Sequence, residues 1–304
     1  MAELIDLNKE FYLGNAFTLK VAEKLSDILD SRYRIIVKYD SQDIPKYEDD
    51  KLNILIATSR ENHEIPEGFF RDDVFLIFQH YHMLDRWGHC IDTPITFPMP
   101  LGPFADCYHD IEIKPISQRK YDFTFVGQIP HTGTRDCFKR ALDKLVEETG
   151  DKFKYKIEFT DGFSSGLEKK EYMELLGDSK LSLCPRGAHS METFRFFEST
   201  LMGAIPVIDQ LPKFWYYEEA SFFKGPWVDL DSTLSRSLNF LQSIDCRGLF
   251  EGLAIYNNQI MNSEGLAFKM KSIINQRHQN LEPTKEYLEQ LRKVLKDEMD
   301  ANQL

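Results

Sequence analysis

The sequence lacks paired cysteines. Its five cysteines are odd in number, lie far apart and form no Cys-x-x-Cys pair (Cys90, Cys107, Cys137, Cys184 and Cys246). A disulfide framework and a zinc site both need cysteines at close and regular spacing. The sequence therefore predicts neither of them, and it predicts that the thiols are reduced.

Long apolar runs are also missing. No stretch approaches the ~18 apolar residues that a membrane-spanning helix requires. The first residues, MAELIDLNKEFYLG, do not have the basic and then apolar layout of a secretory signal peptide. We therefore expect a cytoplasmic protein without a transmembrane segment.

Positive charge is scarce as well. The chain has 37 Lys and Arg against 49 Asp and Glu, which gives a formal net charge of −12. A protein that binds nucleic acid over a broad surface needs a basic face to neutralise phosphates. We therefore expect no nucleic-acid partner, although a local basic pocket is compatible with this balance.

The sequence does contain apolar, strand-length runs that alternate with helical patterns. In the first half, Phe17–Leu29 has helical spacing, and three apolar runs predict buried strands (Tyr33–Asp40, Lys51–Ser59 and Asp72–Tyr81). The stretch DTPITFPMPLGP that follows is rich in proline, which removes a backbone donor and restricts the preceding residue. Residues 92–119 are therefore predicted to connect two halves.

The second half repeats the alternation. Strands are predicted at Tyr121–Gln128, Lys154–Gly162, Ser179–Gly187 and Ala204–Ile208, and helices at Thr134–Glu148, at Lys169–Leu176 and in the last interval. This order predicts right-handed crossovers and parallel sheets with helices on both faces. We expect an α/β fold of two Rossmann-like lobes, residues 1–115 and 116–280, followed by an amphipathic helix over residues 281–304.

In open parallel sheets, ligands bind at the carboxyl ends of the strands. In the second half these ends are VGQIPHTGTR, TDGFSSG and CPRGAHSMET, which are rich in glycine, hydroxyl and arginine groups. Gly127 lets backbone N–H groups approach an anion, Arg135 begins the next helix, and Arg186 follows the third strand. A helix that starts near Ser190 or Met191 directs its free N–H groups toward the same edge. The pattern predicts an anion site.

Charged residues recur on that helix at a spacing of three (Glu192, Arg195 and Glu198). One interpretation is a surface ladder of ion pairs, each worth about 0.3 to 0.5 kcal/mol. The other is a ligand site, because the helix lies between two apolar strands and buried charges need partners. A ligand with phosphates and a ribose diol would supply partners of both kinds.

The segment CPRG with TFRFFESTLMGAIPVI resembles the C-terminal half of exostosin-type glycosyltransferases, and FVGQIPHTGTR is similar to an earlier segment of that half. The resemblance covers roughly residues 121–208. It implies the two-lobed GT-B plan, with the acceptor on the first lobe and a nucleotide sugar on the second. It further implies that Glu198 holds the donor ribose, that Arg186, Arg195 and Arg135 face the diphosphate or the nearby sugar, and that Thr193 is the family's small hydroxyl residue.

The resemblance implies that a sugar passes from a UDP-linked donor to a glycan hydroxyl with inversion at the anomeric carbon, by a hexosyl- or pentosyltransferase. Arginines and a helix N-terminus can stabilise the leaving diphosphate without a metal. A metal-dependent site would need an Asp-x-Asp pair after a strand, and Asp229–Asp231 lies beyond the nucleotide segment. We therefore expect a turn there, and no required cofactor or metal.

The acceptor hydroxyl needs a general base, which in two-lobed enzymes of this kind comes from the first lobe. The stretch FQHYHMLDRWGHCID offers Asp85 and His82 as first candidates, with His80, His89 and Asp92 as further ones. The histidines could equally be buried core residues, or His80 and His82 a metal pair. Tyr81 and Trp87 could stack on an acceptor sugar or pack in the core.

Other functions are compatible with the same residues. A non-catalytic protein that binds a nucleotide sugar or a glycan would keep Glu198 and the arginines but would need no base. A fucosyltransferase-like enzyme would use a GDP-sugar instead. An interaction scaffold would bind no nucleotide at all.

Overall fold

The computed structural model describes residues 1–7, 16–39, 44–58, 73–81, 95–104, 110–129, 133–162, 165–187, 190–243 and 246–279. Its strands are β1 Glu3–Asp6, β2 Tyr33–Tyr39, β3 Leu52–Thr58, β4 Val74–Gln79, β5 Thr96–Pro98, β6 Tyr121–Gln128, β7 Tyr155–Thr160, β8 Ser179–Leu183, β9 Ile205–Ile208 and β10 Phe223–Lys224. Its helices are α1 Ala16–Ile28, α2 Gly133–Thr149, α3 Lys169–Gly177, α4 Phe194–Leu201, α5 Leu230–Leu241, α6 Cys246–Tyr256 and α7 Ser263–Gln279, with a π-helix at Asn257–Met261. Single 3₁₀ turns occur at Ile116–Gln118, Gly150–Lys152, Trp215–Tyr217 and Trp227–Asp229.

The first sheet has the strand order β1-β2-β3-β4-β5, and all its pairings are parallel. The apolar strands β2, β3 and β4 lie at its centre, as their hydrophobic runs predict. Two edge strands were not predicted. The strand β1 has only four residues, and β5 lies within the proline-rich stretch that we interpreted as connection. Pro98 is tolerated because β5 is at the edge of the sheet, where one row of N–H groups needs no partner.

The second sheet has the order β10-β9-β8-β6-β7 and is also parallel. The chain leaves β6 in one direction to form β7, and it then returns past β6 to form β8 and continues to β9. The direction of the connections therefore reverses between β6 and β8, and the crevice at such a reversal is where open α/β sheets bind ligands. The two parallel sheets confirm the predicted α/β class.

The helix α7 packs against α1 on the first sheet, although its residues lie within the predicted second lobe. Leu266, Ala267, Met270 and Ile274 are fully buried there, in one core with residues of α1 and of the first strands. We call this cluster the first core. The predicted helix over residues 281–304 lies outside the described residues.

A second apolar cluster joins the two halves. Tyr81 and Leu101 from the first half are buried in it with Phe196, Phe197 and Tyr216 from the second. In addition, the Trp215 indole Nε1 donates a hydrogen bond to the Pro98 carbonyl oxygen at 2.9 Å. The carboxyl edges of the two sheets are therefore held together by apolar packing and by hydrogen bonds.

Arg119 is a buried cation with backbone partners. Its Nε donates to the Lys114 carbonyl at 2.9 Å, and its Nη1 donates to the carbonyls of Ser179 at 2.9 Å and Gly203 at 2.6 Å. Burial lowers the pKa of its guanidinium to about 10, so the group is still charged at neutral pH. Arg119 thus links the segment before β6 to the start of β8 and to the turn before β9.

We expect Arg119→Ala to lower the free energy of unfolding by about 3 kcal/mol. The substitution removes the hydrogen bonds of a charged donor and leaves buried carbonyl groups without their partner. Urea unfolding followed by circular dichroism measures this difference. The matched control is Arg140→Ala, at an exposed position of α2, where the expected change is about 0.5 kcal/mol or less. Equal changes in the two variants would contradict a structural role for Arg119.

Candidate active site

The candidate site lies at the carboxyl edge of the second sheet, at the reversal between β6 and β8. Thr124 of β6 pairs with Ser182 of β8, so Gly127 and Pro185, each three residues further on, lie level at this edge. Arg186 follows Pro185 directly. The structure therefore brings the predicted glycine and arginine to one place.

Arg195 has unmet hydrogen-bonding capacity at this edge. Its Nη2 donates to the Val126 carbonyl oxygen at 2.7 Å, and its guanidinium carbon lies 4.7 Å from the centre of the Phe125 ring. Its Nε and Nη1 atoms are buried, and neither has a hydrogen-bond partner among the described residues. A buried charged donor without a partner is costly, and an anion with several oxygens would satisfy both atoms.

Gly127 leaves room for this guanidinium. Its φ angle is +153°, and a Cβ atom at this position would lie 2.1 Å from Nη2 of Arg195. We predicted Gly127 as a flexible approach to an anion, whereas the structure shows that its missing side chain lets Arg195 reach the end of β6.

Arg135 joins the two strand ends. From the first turn of α2, its Nη1 donates to the Gln128 carbonyl at 2.6 Å and its Nε donates to the Arg186 carbonyl at 2.7 Å. These bonds hold the loop after β8 against the end of β6. Burial raises the pKa of Asp209, at the end of β9, and the positive charge of Arg186 opposes that shift.

The helix α4 starts later than predicted, at Phe194 instead of Ser190 or Met191. Thr193 is its N-cap residue with extended angles (φ −148°, ψ 141°), and its side chain makes no capping hydrogen bond within the described structure. Ser190 stabilises the preceding turn, since its Oγ accepts the Glu192 N–H at 3.1 Å. The positive end of the α4 dipole lies at this N-terminus, where it favours a negative charge.

Glu198 follows Arg195 by three residues on α4 and is buried, with 5% of its surface exposed. Its Oε1 accepts a hydrogen bond from the Phe104 N–H at 3.2 Å, and the Tyr172 hydroxyl of α3 also bonds to it. Burial, with the negative charge of Glu198 as a further cause, raises the pKa of Tyr172 well above its usual value. A carboxylate has about four lone-pair positions, so this one can accept further hydroxyl donors.

Glu192 has a role that the sequence did not indicate. It is 1% exposed, and its Oε1 accepts hydrogen bonds from the hydroxyls of Tyr216 at 2.6 Å and Tyr217 at 3.0 Å. Burial raises the pKa of its carboxyl to about 7. The only signal in the sequence is the adjacent pair of tyrosines, and nothing local connects them to Glu192.

We expect the stability of the protein to fall between about pH 4.5 and pH 7 because of Glu192. The folded state keeps the proton while the unfolded state releases it, which removes about 3 kcal/mol across this window. Glu192→Gln does not ionise and is expected to lose this part of the slope, as measured by urea unfolding at several pH values. The exposed Glu218→Gln is the control and is expected to retain it. An unchanged slope in Glu192→Gln would contradict the assignment.

Both predicted bases, His82 and Asp85, lie outside the described residues, as do His89, Asp92 and Trp87. His80 is described, and it is a core residue. Its Nε2 lies 3.2 Å from the Thr18 Oγ1, and complete burial lowers its pKa to about 4. Its ring is therefore neutral near pH 7, in agreement with the core interpretation.

The structure also describes three of the cysteines and the Asp229–Asp231 segment. Cys137, Cys184 and Cys246 are free, and burial raises the pKa of Cys184 to about 11. The Asp229–Asp231 segment is helical and not the turn we expected, because Asp229 ends a 3₁₀ turn and Asp231 lies in the first turn of α5. Asp231 forms an ion pair with Lys152 at 2.5 Å.

Two kinds of feature are missing from the described residues. They contain no group of three or more His, Cys, Asp or Glu side chains that could hold a metal ion. None of their helices has the length and apolar character needed to cross a bilayer.

Two parallel sheets, with the partly buried Arg195 and the buried Glu198 beside the reversal of the second, define the class as a two-lobed α/β protein with a candidate anion site. Residues 59–211, half of the chain, match the family model of the Exostosin GT47 domain, and the chain belongs to this family. The resemblance seen in the sequence is thereby confirmed. No curated protein matches the chain.

Solved structures with a similar backbone have low sequence identity. An alpha-glucosyltransferase in complex with UDP and a 13-mer DNA containing a central A:G mismatch has 10% identity and a TM-score of 0.47, over 90% of this chain and 100% of that one. An alpha1,3-fucosyltransferase has 12% identity and a TM-score of 0.45, over 90% of each chain. A mutant of S. aureus TarM in complex with fondaparinux, alpha-GlcNAc-glycerol and UDP has 11% identity and a TM-score of 0.47, over 85% of this chain and 59% of that one.

Proposed function

We propose that this exostosin-family protein is an inverting glycosyltransferase that transfers a sugar from a UDP-sugar to a glycan hydroxyl. The observation that carries the proposal is Arg195, whose Nε and Nη1 are buried without partners at the sheet reversal. A diphosphate has the charge and the number of oxygens to accept both donors. The choice of UDP, of inversion and of a hexosyl or pentosyl group rests on the family resemblance.

The donor diphosphate binds between Gly127, Arg186, Arg195 and the start of α4. In the transfer, the acceptor oxygen forms a bond to the anomeric carbon while the bond from that carbon to the diphosphate oxygen breaks. UDP leaves with the electron pair of that bond, so negative charge grows on the diphosphate. Arg195 and the positive end of the α4 dipole stabilise this charge more in the transition state than in the bound donor.

Glu198 binds the donor ribose by accepting its two hydroxyl hydrogens. The Phe104 N–H and the Tyr172 hydroxyl hold the carboxylate in place. Arg135 acts on the site by holding the Arg186 loop against β6. Thr193 is the N-cap residue of α4, and its side chain makes no capping hydrogen bond within the described structure.

The acceptor hydroxyl loses its proton to a base from the first lobe, for which His82 and Asp85 are the candidates. Since inversion requires the acceptor oxygen to attack opposite the leaving diphosphate, the base and the donor residues lie on opposite sides of the transferred sugar. The proton ends on the base, and the products are the elongated glycan and UDP.

Calorimetry with UDP and GDP, combined with an assay for UDP release from a panel of UDP-sugars, tests this function. We expect UDP to bind and at least one UDP-sugar to release UDP faster when an acceptor glycan is added. Binding without release above background would indicate a nucleotide-sugar-binding protein. Binding of GDP alone would move the donor to a GDP-sugar, and binding of neither nucleotide would refute the proposal.

Transfer is expected to persist in excess chelator, because arginines and a helix N-terminus, and no Asp-x-Asp pair after a strand, face the donor site. The measurement is the turnover rate with EDTA in molar excess over total metal. Loss of activity in EDTA that manganese restores would show that a metal site had been overlooked.

A further inference from the structure

The strand β7 forms one edge of the second sheet. Its pairing with β6 runs from Phe123↔Tyr155 to Gln128↔Thr160, and within the described residues no strand pairs with its other side. Such an edge presents a row of backbone N–H and C=O groups that can pair with a further strand.

The backbone groups that face outward can be identified. The Asp122 N–H of β6 donates to the Lys154 carbonyl oxygen at 2.6 Å, so this carbonyl points toward β6. Successive residues of a strand direct their backbone groups to opposite sides. The N–H and C=O groups of Tyr155, Ile157 and Phe159 therefore face the free edge.

The side chains of the same three residues form an apolar face next to α2. Tyr155, Ile157 and Phe159 line a groove of about 310 Å³ with Leu142 and Val146 of the helix. Phe159 is 43% exposed, although it is a large aromatic residue. Aromatic side chains are enriched in protein interfaces, so an apolar groove beside an unpaired strand indicates a surface that another protein covers.

The opposite face of β7 carries two charges placed symmetrically about Ile157. Lys156 and Glu158 form an ion pair at 3.3 Å. If a second β7 lies antiparallel with Ile157 at the centre, Lys156 is opposite the partner's Glu158, and Glu158 is opposite the partner's Lys156. Opposite charges directly across two strands stabilise their pairing. The strand is therefore complementary in charge to a second copy of itself.

The same register suits the backbone and the apolar face. It pairs Ile157 with the partner's Ile157 and Tyr155 with the partner's Phe159, and these are the residues whose backbone groups face outward. They become hydrogen-bonded pairs, while the charged residues take the intervening pairs, in which side chains lie closer together. The two apolar grooves then adjoin.

The helix α2 adds a second charge match. It leads from the carboxyl end of β6 to the start of β7, so it runs opposite to the strands. The Lys139 Nζ lies 5.1 Å from the centre of the Phe159 ring, and Glu147, about two turns later, lines the groove toward Tyr155. The antiparallel pairing brings the partner's Lys139 toward Glu147.

We propose that two copies of this chain associate through β7, antiparallel and centred on Ile157. The dimer has a two-fold axis, and its two five-stranded sheets join into one of ten strands. The carboxyl edges of the two second sheets then face in opposite directions, so each copy keeps an open site. The proposal does not depend on the reaction that the site performs.

Sedimentation of the full chain over a range of concentrations tests the association. The wild type is expected to form a species of twice the 35.6 kDa of one chain, in a proportion that rises with concentration. Lys156→Glu and Glu158→Lys each place like charges across both symmetry-related pairs. Each is expected to raise the Kd of the dimer by about 10-fold or more.

Mixing the two variants tests the register. When Lys156→Glu protein meets Glu158→Lys protein, opposite charges again lie across both pairs, so we expect a dimer with one copy of each. The double variant K156E/E158K is expected to associate like the wild type. A folding defect in a single variant would not be repaired by mixing. Lys269→Glu is the matched control, because it makes the same charge change and loses an ion pair with Glu219 on another part of the molecule, and it is expected to keep the wild-type Kd.

Hydrogen exchange at the amides of Tyr155, Ile157 and Phe159 reports on the edge itself. At a concentration where the wild type is dimeric, exchange is expected to be slow, and it is expected to be faster in Lys156→Glu. A wild type with the mass of one chain at every soluble concentration would overturn the proposal. Slow exchange in that monomer would show that another segment of the chain covers β7, and fast exchange would leave the edge to a different protein. A dimer with the wild-type Kd in both single variants, or no recovery on mixing, would also overturn it.

Discussion

Arg195→Ala is expected to lower the turnover of sugar transfer by about 10²- to 10³-fold, the usual effect of removing one donor that stabilises a developing anion. The reason is that Nε and Nη1 are buried without hydrogen-bond partners among the described residues, while Nη2 donates to the Val126 carbonyl oxygen. UDP affinity is expected to fall by less than turnover, because the charge on the diphosphate grows as the bond to the sugar breaks. Initial rates and calorimetry measure both quantities.

Two further variants separate the position of this guanidinium from its charge. Gly127→Ala keeps Arg195 but places a Cβ 2.1 Å from Nη2, so we expect it to lower turnover in the same direction. The control is Gly248→Ala, where an added Cβ meets nothing within 4 Å. Arg236→Ala, at an exposed position of α5, controls for a lost arginine. Wild-type turnover in folded Arg195→Ala would remove Arg195 from the mechanism.

Glu198→Gln is expected to weaken UDP binding by about 1.5 to 3 kcal/mol, which is about 10- to 150-fold, because hydrogen bonds to a charged acceptor are lost. The amide retains the size of the side chain and one acceptor oxygen for the Phe104 N–H. Calorimetry with UDP and with 2′-deoxy-UDP tests the assignment to the ribose. The wild type is expected to lose affinity for the deoxy compound, whereas the variant is expected to lose little more.

The two proteins and the two ligands form a thermodynamic cycle. A coupling free energy near zero between residue 198 and the 2′-hydroxyl would contradict the ribose contact. A folded Glu198→Gln variant with unchanged affinity for UDP would contradict it too. Tyr172 and Phe104 already contact this carboxylate, so a purely structural role predicts lost stability with no difference between the two ligands.

The sequence predicts the second sheet well because its strands are short, apolar and bounded by glycine or charge. The bounds of β6 agree with the prediction at both ends, and those of α2 differ by one residue at each end. The convergence of Gly127, Arg186 and Arg195 also follows from the rule that parallel strands share a carboxyl edge. These inferences need only local patterns and the handedness of crossovers.

Features that depend on distant contacts were missed. Glu192 and Arg195 have the spacing of a helical ion pair, but α4 begins after Glu192, and both side chains bond to other elements. The need for glycine at position 127 comes from the side chain of Arg195, which lies 68 positions later in the sequence (195 − 127). The strands β1 and β5 are too short to have a periodicity of their own. Tertiary packing determined each of these, and a single sequence does not display it.

The packing of α7 on α1 has a consequence for synthesis on the ribosome. The second sheet is built from residues 121–224 without interruption, whereas the first core needs α1 and α7, which lie near opposite ends of the described chain. Domains emerge and fold in the order in which they are translated. The first half to emerge here must wait, with the apolar face of α1 uncovered, until residues 263–279 have left the exit tunnel. The later half of the nascent chain therefore folds before the earlier half is complete. During that interval the apolar face of α1 is exposed, and a chaperone would bind there.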